Sequence, residues 1–320
     1  MTKFLVVNDP HLTDRPPLGR QEGYADQVFD KLQECWDIAG SEHCDFILFT
    51  GDLHHRFRGP VVAYAMTIRL LALLKQAPCP VYGIAGNHDL SSDGTASIWR
   101  MPFGVLAKAG ALTWLDQARV VEDVLLIPRN WEPHIDAVPT AFKLSRDEAL
   151  MLPERGEGYS VMVAHASILA PGDTRPYPYH DAEKLPTDVL DVLICGHIHE
   201  DEGIHQLSSG CWFANVGSIS RISRTADNLT RKPQVLTVTF DKGEIEFERH
   251  ILKSALPAAE VFFEKEVAEE RQVGDFAAAL ATALEMEETP LDELIAQHTE
   301  GQPPEVVERL RRYLMEAENE

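Results

Sequence analysis

Five short segments carry residues that could bind metal ions: Asn8-Asp9-Pro10-His11, Gly51-Asp52-Leu53-His54-His55, Gly86-Asn87-His88-Asp89, Val163-Ala164-His165 and Gly196-His197-Ile198-His199. Each follows a short apolar run. Carboxylate, amide and imidazole donors without a thiolate suit hard or borderline divalent ions such as Mn2+, Fe2+ or Zn2+. Glycines ahead of Asp52, Asn87 and His197 let the backbone turn sharply enough to bring those side chains together. Singly, a Gly-Asp is usually a turn and an Asp-x-His a surface loop, while Gly-Asn-His-Asp and Gly-His-x-His are rarer; five motifs in order, all at strand ends, point to one shared site.

The elements that must position them follow from the hydrophobic pattern. Residues 4–9, 46–50 and 80–86 read as strands, 24–39 as an amphipathic helix and 61–76 as a helix, giving β-α-β-α-β. Further strands are expected at 123–127, 159–164, 189–195 and 212–216, with a hairpin formed by 235–240 and 244–251 around Asp241-Lys242-Gly243. The expected fold is α/β: two packed mixed β-sheets flanked by helices, with the motifs converging at the carboxyl ends of the strands.

The motif set resembles that of the calcineurin-like metallophosphoesterase superfamily, over about residues 4–250 and in a four-layer sandwich. The resemblance implies that Asp9, His11 and His199 hold one divalent ion, Asn87, His165 and His197 a second, and that Asp52 bridges them. It further implies a metal-bridging hydroxide as nucleophile, His88 beside the leaving group, and Asp89 orienting the His88 ring. Within the superfamily the chain is most similar to the SbcD-type DNA repair nuclease branch. That likeness makes Mn2+ the expected metal, DNA the expected substrate, an exo- or endonuclease the expected activity, and a histidine placed like His55 a contact to the nucleic-acid backbone. Asn8 stands where that branch has Ser or Thr, and the usual α/β capping domain is replaced by about 66 acidic residues. The alternatives are a small-molecule phosphodiesterase or phosphatase acting on cyclic nucleotides or phosphomonoesters, and a metal-bound scaffold without activity.

Charge bears on the substrate. The chain of 320 residues has a formal charge of −22, but residues 255–320 alone carry 17 acidic and 5 basic side chains. The catalytic unit, 1–254, is therefore less hostile to a polyanion than the total suggests. Arg56 follows the second motif, and Arg221 and Arg224 lie in the basic segment 215–233, so these three are the expected substrate contacts; solvated loops are the plainer alternative. Residues 255–320 read as an acidic helical extension, with helix signals at Asp275 and Thr289-Pro290 and a last helix near 304–317. By the resemblance, these helices would dock on an SbcC-type coiled-coil ATPase; otherwise they pack back on the domain. A homodimer is a further implication of the family. With no long apolar span and no leader-like segment, a cytoplasmic protein is expected, and the five cysteines, lacking any Cys-x-x-Cys pair, are assigned no chemistry.

Overall fold

Alternating apolar side chains build the central strands, because successive residues face opposite sides of a sheet. The computed structural model describes residues 1–17, 19–55, 64–154 and 156–264. In the first strand, β1 (Thr2–Val7), Phe4 and Val6 face one apolar layer while Leu5 and Val7 face another. The same alternation recurs in β2 (Phe46–Phe49), whose Phe46 ring stacks on Phe4 with centroids 4.6 Å apart.

The first sheet also contains β3 (Val81–Gly83), β4 (Thr113–Trp114), β13 (Gln234–Asp241) and β14 (Glu244–Ile251), in the order β14-β13-β1-β2-β3-β4. Strands β1 to β4 run parallel, while β13 joins β1 antiparallel with Thr2 opposite Phe240. The second sheet holds β5 (Arg119–Val121), β6 (Val124–Arg129), β7 (Tyr159–His165), β10 (Val192–Gly196), β11 (Gly203–Gln206) and β12 (Trp212–Asn215). Its order is β11-β12-β10-β7-β6-β5, with β6, β7, β10 and β12 parallel. A separate pair, β8 (Ile168–Leu169) and β9 (His180–Asp181), follows β7.

The two sheets pack face to face through Phe4, Val6, Leu48, Val161, Val163, Val192, Ile194 and Val238. Helices α1 (Tyr24–Ser41), α2 (Tyr64–Leu74) and α3 (Pro102–Lys108) cover the outer face of the first sheet. In α1 the buried Val28, Leu32, Cys35, Trp36 and Ala39 recur at three- and four-residue intervals, the spacing of a core-facing stripe. The outer face of the second sheet is covered by Ile135, Phe142, Ala182 and Leu185, from segments that include only short helices such as α4 (Arg146–Met151). Two helices close the described chain, α5 (Ala226–Thr230) and α6 (Ala258–Val261).

The expected pair of mixed sheets flanked by helices is what the chain forms. Residues 261–263 pack against the segment before α1: the Val261 and Phe263 backbones pair with Gln21 and Gly19, and Phe262 lies under the Arg20 guanidinium. The helices expected beyond that point, including 304–317, lie outside the described residues, as do residues 61–63 of the expected second helix. Among the described residues no helix is long and apolar enough to cross a membrane.

Candidate metal centre

Strands β1, β2 and β3 of one sheet and β7 and β10 of the other bring their carboxyl ends to one edge, and all five motifs sit there. The turns are abrupt. Asp9, His11, Asp52 and His197 have φ of 46°, 50°, 49° and 83°, and Gly51 has 109°. Side chains other than glycine avoid this left-handed region, so the surrounding packing must hold four of them in it.

Three overlapping groups of donors result at this edge among the described residues, one of them His11 with His55 and His88. Asp9, His11, Asp52 and His199 each offer an atom within 4.8 Å of the others, and so do Asp52, His165 and His197; Asp52 belongs to both. His11 Nε2 and His199 Nε2 face each other at 2.8 Å, and the Asp52 carboxylate lies 3.5 Å from His11 and 3.4 Å from His165. Asn87 Oδ1 is 3.0 Å from His165 Nε2 and 2.9 Å from His197 Nδ1. His165 Nδ1 donates to the carbonyl of Thr50 at 2.8 Å, which turns Nε2 toward the cluster.

Burial sets the charge state. It pushes Asp9 up to about 7, holds His197 at about 4 and His199 at about 3, and takes His11 well below the ordinary imidazole value. These imidazoles are therefore neutral bases with a free lone pair, the form that binds a metal. Burial opposes charge on Asp52 and His165 too, yet their mutual attraction holds Asp52 well below the carboxylate range and raises His165 to about 9. One oxygen of Asp9 accepts from the His197 amide at 3.0 Å; the other, Oδ2, is buried without a partner among the described residues. A buried orphan carboxylate oxygen beside facing imidazole nitrogens is costly unless a cation satisfies it, so the residues present fit divalent ions.

Around this cluster, His88 is half-buried and its backbone N–H donates to Asp52 Oδ1 at 2.8 Å. Its ring stacks on His55 with centroids 4.7 Å apart and meets His11 edge-on at 4.9 Å. His55 is buried, with Nδ1 3.1 Å from His11 Nδ1, so it faces an expected ligand as well as His88. Burial, with His88 alongside, takes its pKa down to about 4.

Asp89 has different partners from those expected of it. Its carboxylate accepts from the backbone N–H groups of Leu53, His54 and Gly86 at 3.1–3.2 Å and lies 3.4 Å from the ring of His54. It braces the loop that carries Asp52, and the ring it faces is that of His54. Sequence reasoning gives His54 no role, since nothing local separates it from His55; it is buried, and its Nε2 has no partner among the described residues.

The expected substrate arginines divide. Arg221 is 5% exposed and donates to the carbonyls of Asn228 and Leu256, so it ties loops together below the surface. Arg224 is exposed, with Nε on the carbonyl of Phe263. Arg56 lies outside the described residues. Asn8, the departure from Ser or Thr, spans the two sheets: its amide donates to Cys195 O and Asn215 Oδ1 at 2.9 and 3.1 Å. Beside His197 and His199 lies a cavity of about 420 Å³, walled by His134, Asp136, Tyr177, Glu200, Ser223 and Asp227 among others.

Gly86 explains one requirement of the site. A Cβ there would lie 2.1 Å from Asp52 Oδ1 and 2.6 Å from His165 Cε1. Gly86→Ala is expected to weaken divalent-metal binding about 10-fold or more and to cost roughly 1–3 kcal/mol of stability. Gly40→Ala, near the end of α1, would meet only Pro78 at an ordinary 3.9 Å and should be neutral or stabilising. Calorimetric metal titration and urea unfolding of the two variants check this; equal behaviour would refute it.

The family model of calcineurin-like phosphoesterases matches residues 2–201. The DNA double-strand break repair protein Mre11 of Halobacterium salinarum is 25% identical over 232 residues, covering 70% of this chain and 53% of that protein. The protein of the same name from Saccharolobus solfataricus is 25% identical over 206 residues, 62% of this chain and 50% of its own. That from Sulfurisphaera tokodaii is 36% identical over 99 residues, 30% of this chain and 24% of its own. The chain thus matches about half or less of the length of these relatives. Among solved structures, TT1561 of Thermus thermophilus aligns with a TM-score of 0.49 at 10% identity, over 77% of this chain and 98% of that one.

Proposed function

Because the chain belongs to the calcineurin-like phosphoesterase family, a group of metal-dependent phosphoesterases, we propose that it is a two-metal phosphodiester hydrolase acting on DNA. The observation that carries the two-metal part is the sharing of Asp52 between two buried donor groups. The DNA part is supported by the relatives, which are named as DNA double-strand break repair proteins.

In this reading Asp9, His11 and His199 would hold one ion and Asn87, His165 and His197 the other, with Asp52 placed to serve both; Mn2+ suits the donor set. When bound, the ions supply positive charge against the phosphate oxygens and acidify a water. His88, at the half-exposed rim with its backbone tied to Asp52, donates a hydrogen bond or a proton to the departing alkoxide. His55 supports both His88, by stacking, and His11, through the Nδ1 contact. Asp89 holds the Leu53-His54 turn and so keeps Asp52 in place. Arg56 and Arg224 remain the proposed phosphate contacts. The acidic residues after 264 are the proposed docking segment for a coiled-coil ATPase, and a homodimer is the proposed assembly.

One observation favours a second reading, a small-molecule phosphodiesterase. The cavity beside His197 and His199 has the size of a small ester, and Asp136, Glu200 and Asp227 on its wall would repel a continuing phosphate backbone. The two readings separate in one assay. Purified protein with Mn2+ is given labelled single- and double-stranded DNA, bis-p-nitrophenyl phosphate and cyclic AMP. DNA cleavage is expected; hydrolysis of small esters with DNA left intact would replace the first reading by the second.

A further inference from the structure

Residues Ser218 to Arg221 form a strap across the first metal-binding loop. Ser218 Oγ donates to Asp9 O at 2.8 Å, Ile219 N to Asn8 O at 2.9 Å and Ser220 Oγ to Pro10 O at 2.5 Å. Ser218 N donates to His199 O at 3.1 Å, so the strap grips two separate ligand-bearing loops.

The strap is itself held from behind in an unusual way. Each of its four successive carbonyls accepts from a lysine or arginine: Ser218 O from Arg231 at 2.6 Å, Ile219 O from Lys31 at 2.5 Å, Ser220 O from Arg231 at 2.8 Å and Arg221 O from Arg20 at 2.8 Å. Lys31 and Arg20 are 4% and 3% exposed, and the Arg231 side chain is 9% exposed. Among the described residues, the ion pair these three side chains make is that of Arg231 with Asp227 at 3.0 Å. Burying such groups with so little carboxylate compensation costs free energy, and well-packed apolar side chains would fill the space more cheaply. What apolar side chains cannot do is fix the direction of four carbonyls. A Lys31 amine donates in either protonation state, and the Arg231 guanidinium spans two carbonyls as a rigid fork.

Among the described residues, the strap's bonds to the ligand-bearing loops fall on Asn8, Asp9, Pro10 and His199, and on none of the residues assigned to the other ion. Asn8 to Pro10 contains Asp9, whose left-handed φ needs an external hold, and His199 and His11 complete that half; Asn87 and His165 receive no bond from the strap in these contacts. We infer that Lys31, Arg20 and Arg231 are positioning residues that pin the 218–221 strap and thereby set the affinity of the ion held by Asp9, His11 and His199. The inference rests on the two-ion reading above.

The test reads metal binding. Lys31→Met, Arg231→Met and Arg231→Lys are compared with the unaltered full chain by calorimetric Mn2+ titration and by electron paramagnetic resonance. The unaltered chain should bind two ions with a spin-coupled spectrum. The Met variants should bind one ion as before and the second about 10- to 100-fold more weakly, so that isolated Mn2+ signals replace the coupled spectrum at intermediate loading. Arg231→Lys, which reaches one carbonyl, should fall between. If Lys31→Met does not fold, Ser220→Ala removes the hydroxyl that bonds Pro10 O and the Tyr24 hydroxyl, both on the first ligand-bearing loop's side of the strap, and should shift the same ion. Folded variants that keep both affinities, or lose both equally, would overturn the inference while leaving the two-ion reading intact. An unaltered chain that never binds a pair would overturn both.

Discussion

Asp52→Asn is expected to abolish the paired centre, lowering bound Mn2+ from two ions to one or fewer and phosphodiester hydrolysis by roughly 10³-fold or more. Its carboxylate is shared by the two donor groups, lying 3.5 Å from His11 and 3.4 Å from His165, while also accepting from the His88 backbone. The amide retains the shape and one acceptor oxygen but removes the negative charge that two adjacent cations require. It also turns an NH2 group toward imidazole lone pairs or a cation. Elemental analysis after gel filtration, with hydrolysis of bis-p-nitrophenyl phosphate, checks both effects. A variant with two tightly held ions and near-normal turnover would rule out Asp52 as the bridge.

His88→Gln should behave in the opposite manner toward metal. The ring is at the rim of the cluster, whereas its bond to Asp52 runs through the backbone and survives substitution. Both ions should therefore remain, while turnover on DNA falls by about 10²- to 10⁴-fold, the usual range for a lost proton donor. The loss should depend on the leaving group. A deoxyribose alkoxide departs poorly without a proton, whereas p-nitrophenolate is stable by itself, so bis-p-nitrophenyl phosphate should lose much less. Equal losses on the two substrates would remove His88 from the leaving-group role, and loss of metal would make it a support of the cage instead.

Strands β1, β2, β3, β7 and β10 are legible because each is a buried apolar run cut off by a glycine, aspartate or histidine motif. The same local rule extends the first strand to residue 9, whereas β1 stops at Val7 because Asp9 turns into the left-handed region. Two-residue strands such as β4 and β8 leave no period to detect. At the site, the donor types and their order announce the cluster, but partners depend on contacts remote in the chain. Asp89 adjoins His88 in sequence, yet the turn directs its carboxylate to residues some 35 positions earlier. Arg221 reads as a phosphate contact from local charge alone; its burial comes from Asn228 and Leu256, and nothing in segment 215–233 signals the latter.

The antiparallel pairing of β1 with β13 has a consequence for the order in which the molecule matures. Residues 2–6 find their partners at 236–240, and the loop after them is braced by 218–220. During synthesis the first metal-binding motif leaves the ribosome long before the segments that secure it. Such distant pairing delays closure of the sheet until most of the chain is available. The ions are thus expected to meet a nearly finished protein and to stabilise it by mass action, rather than to nucleate its folding.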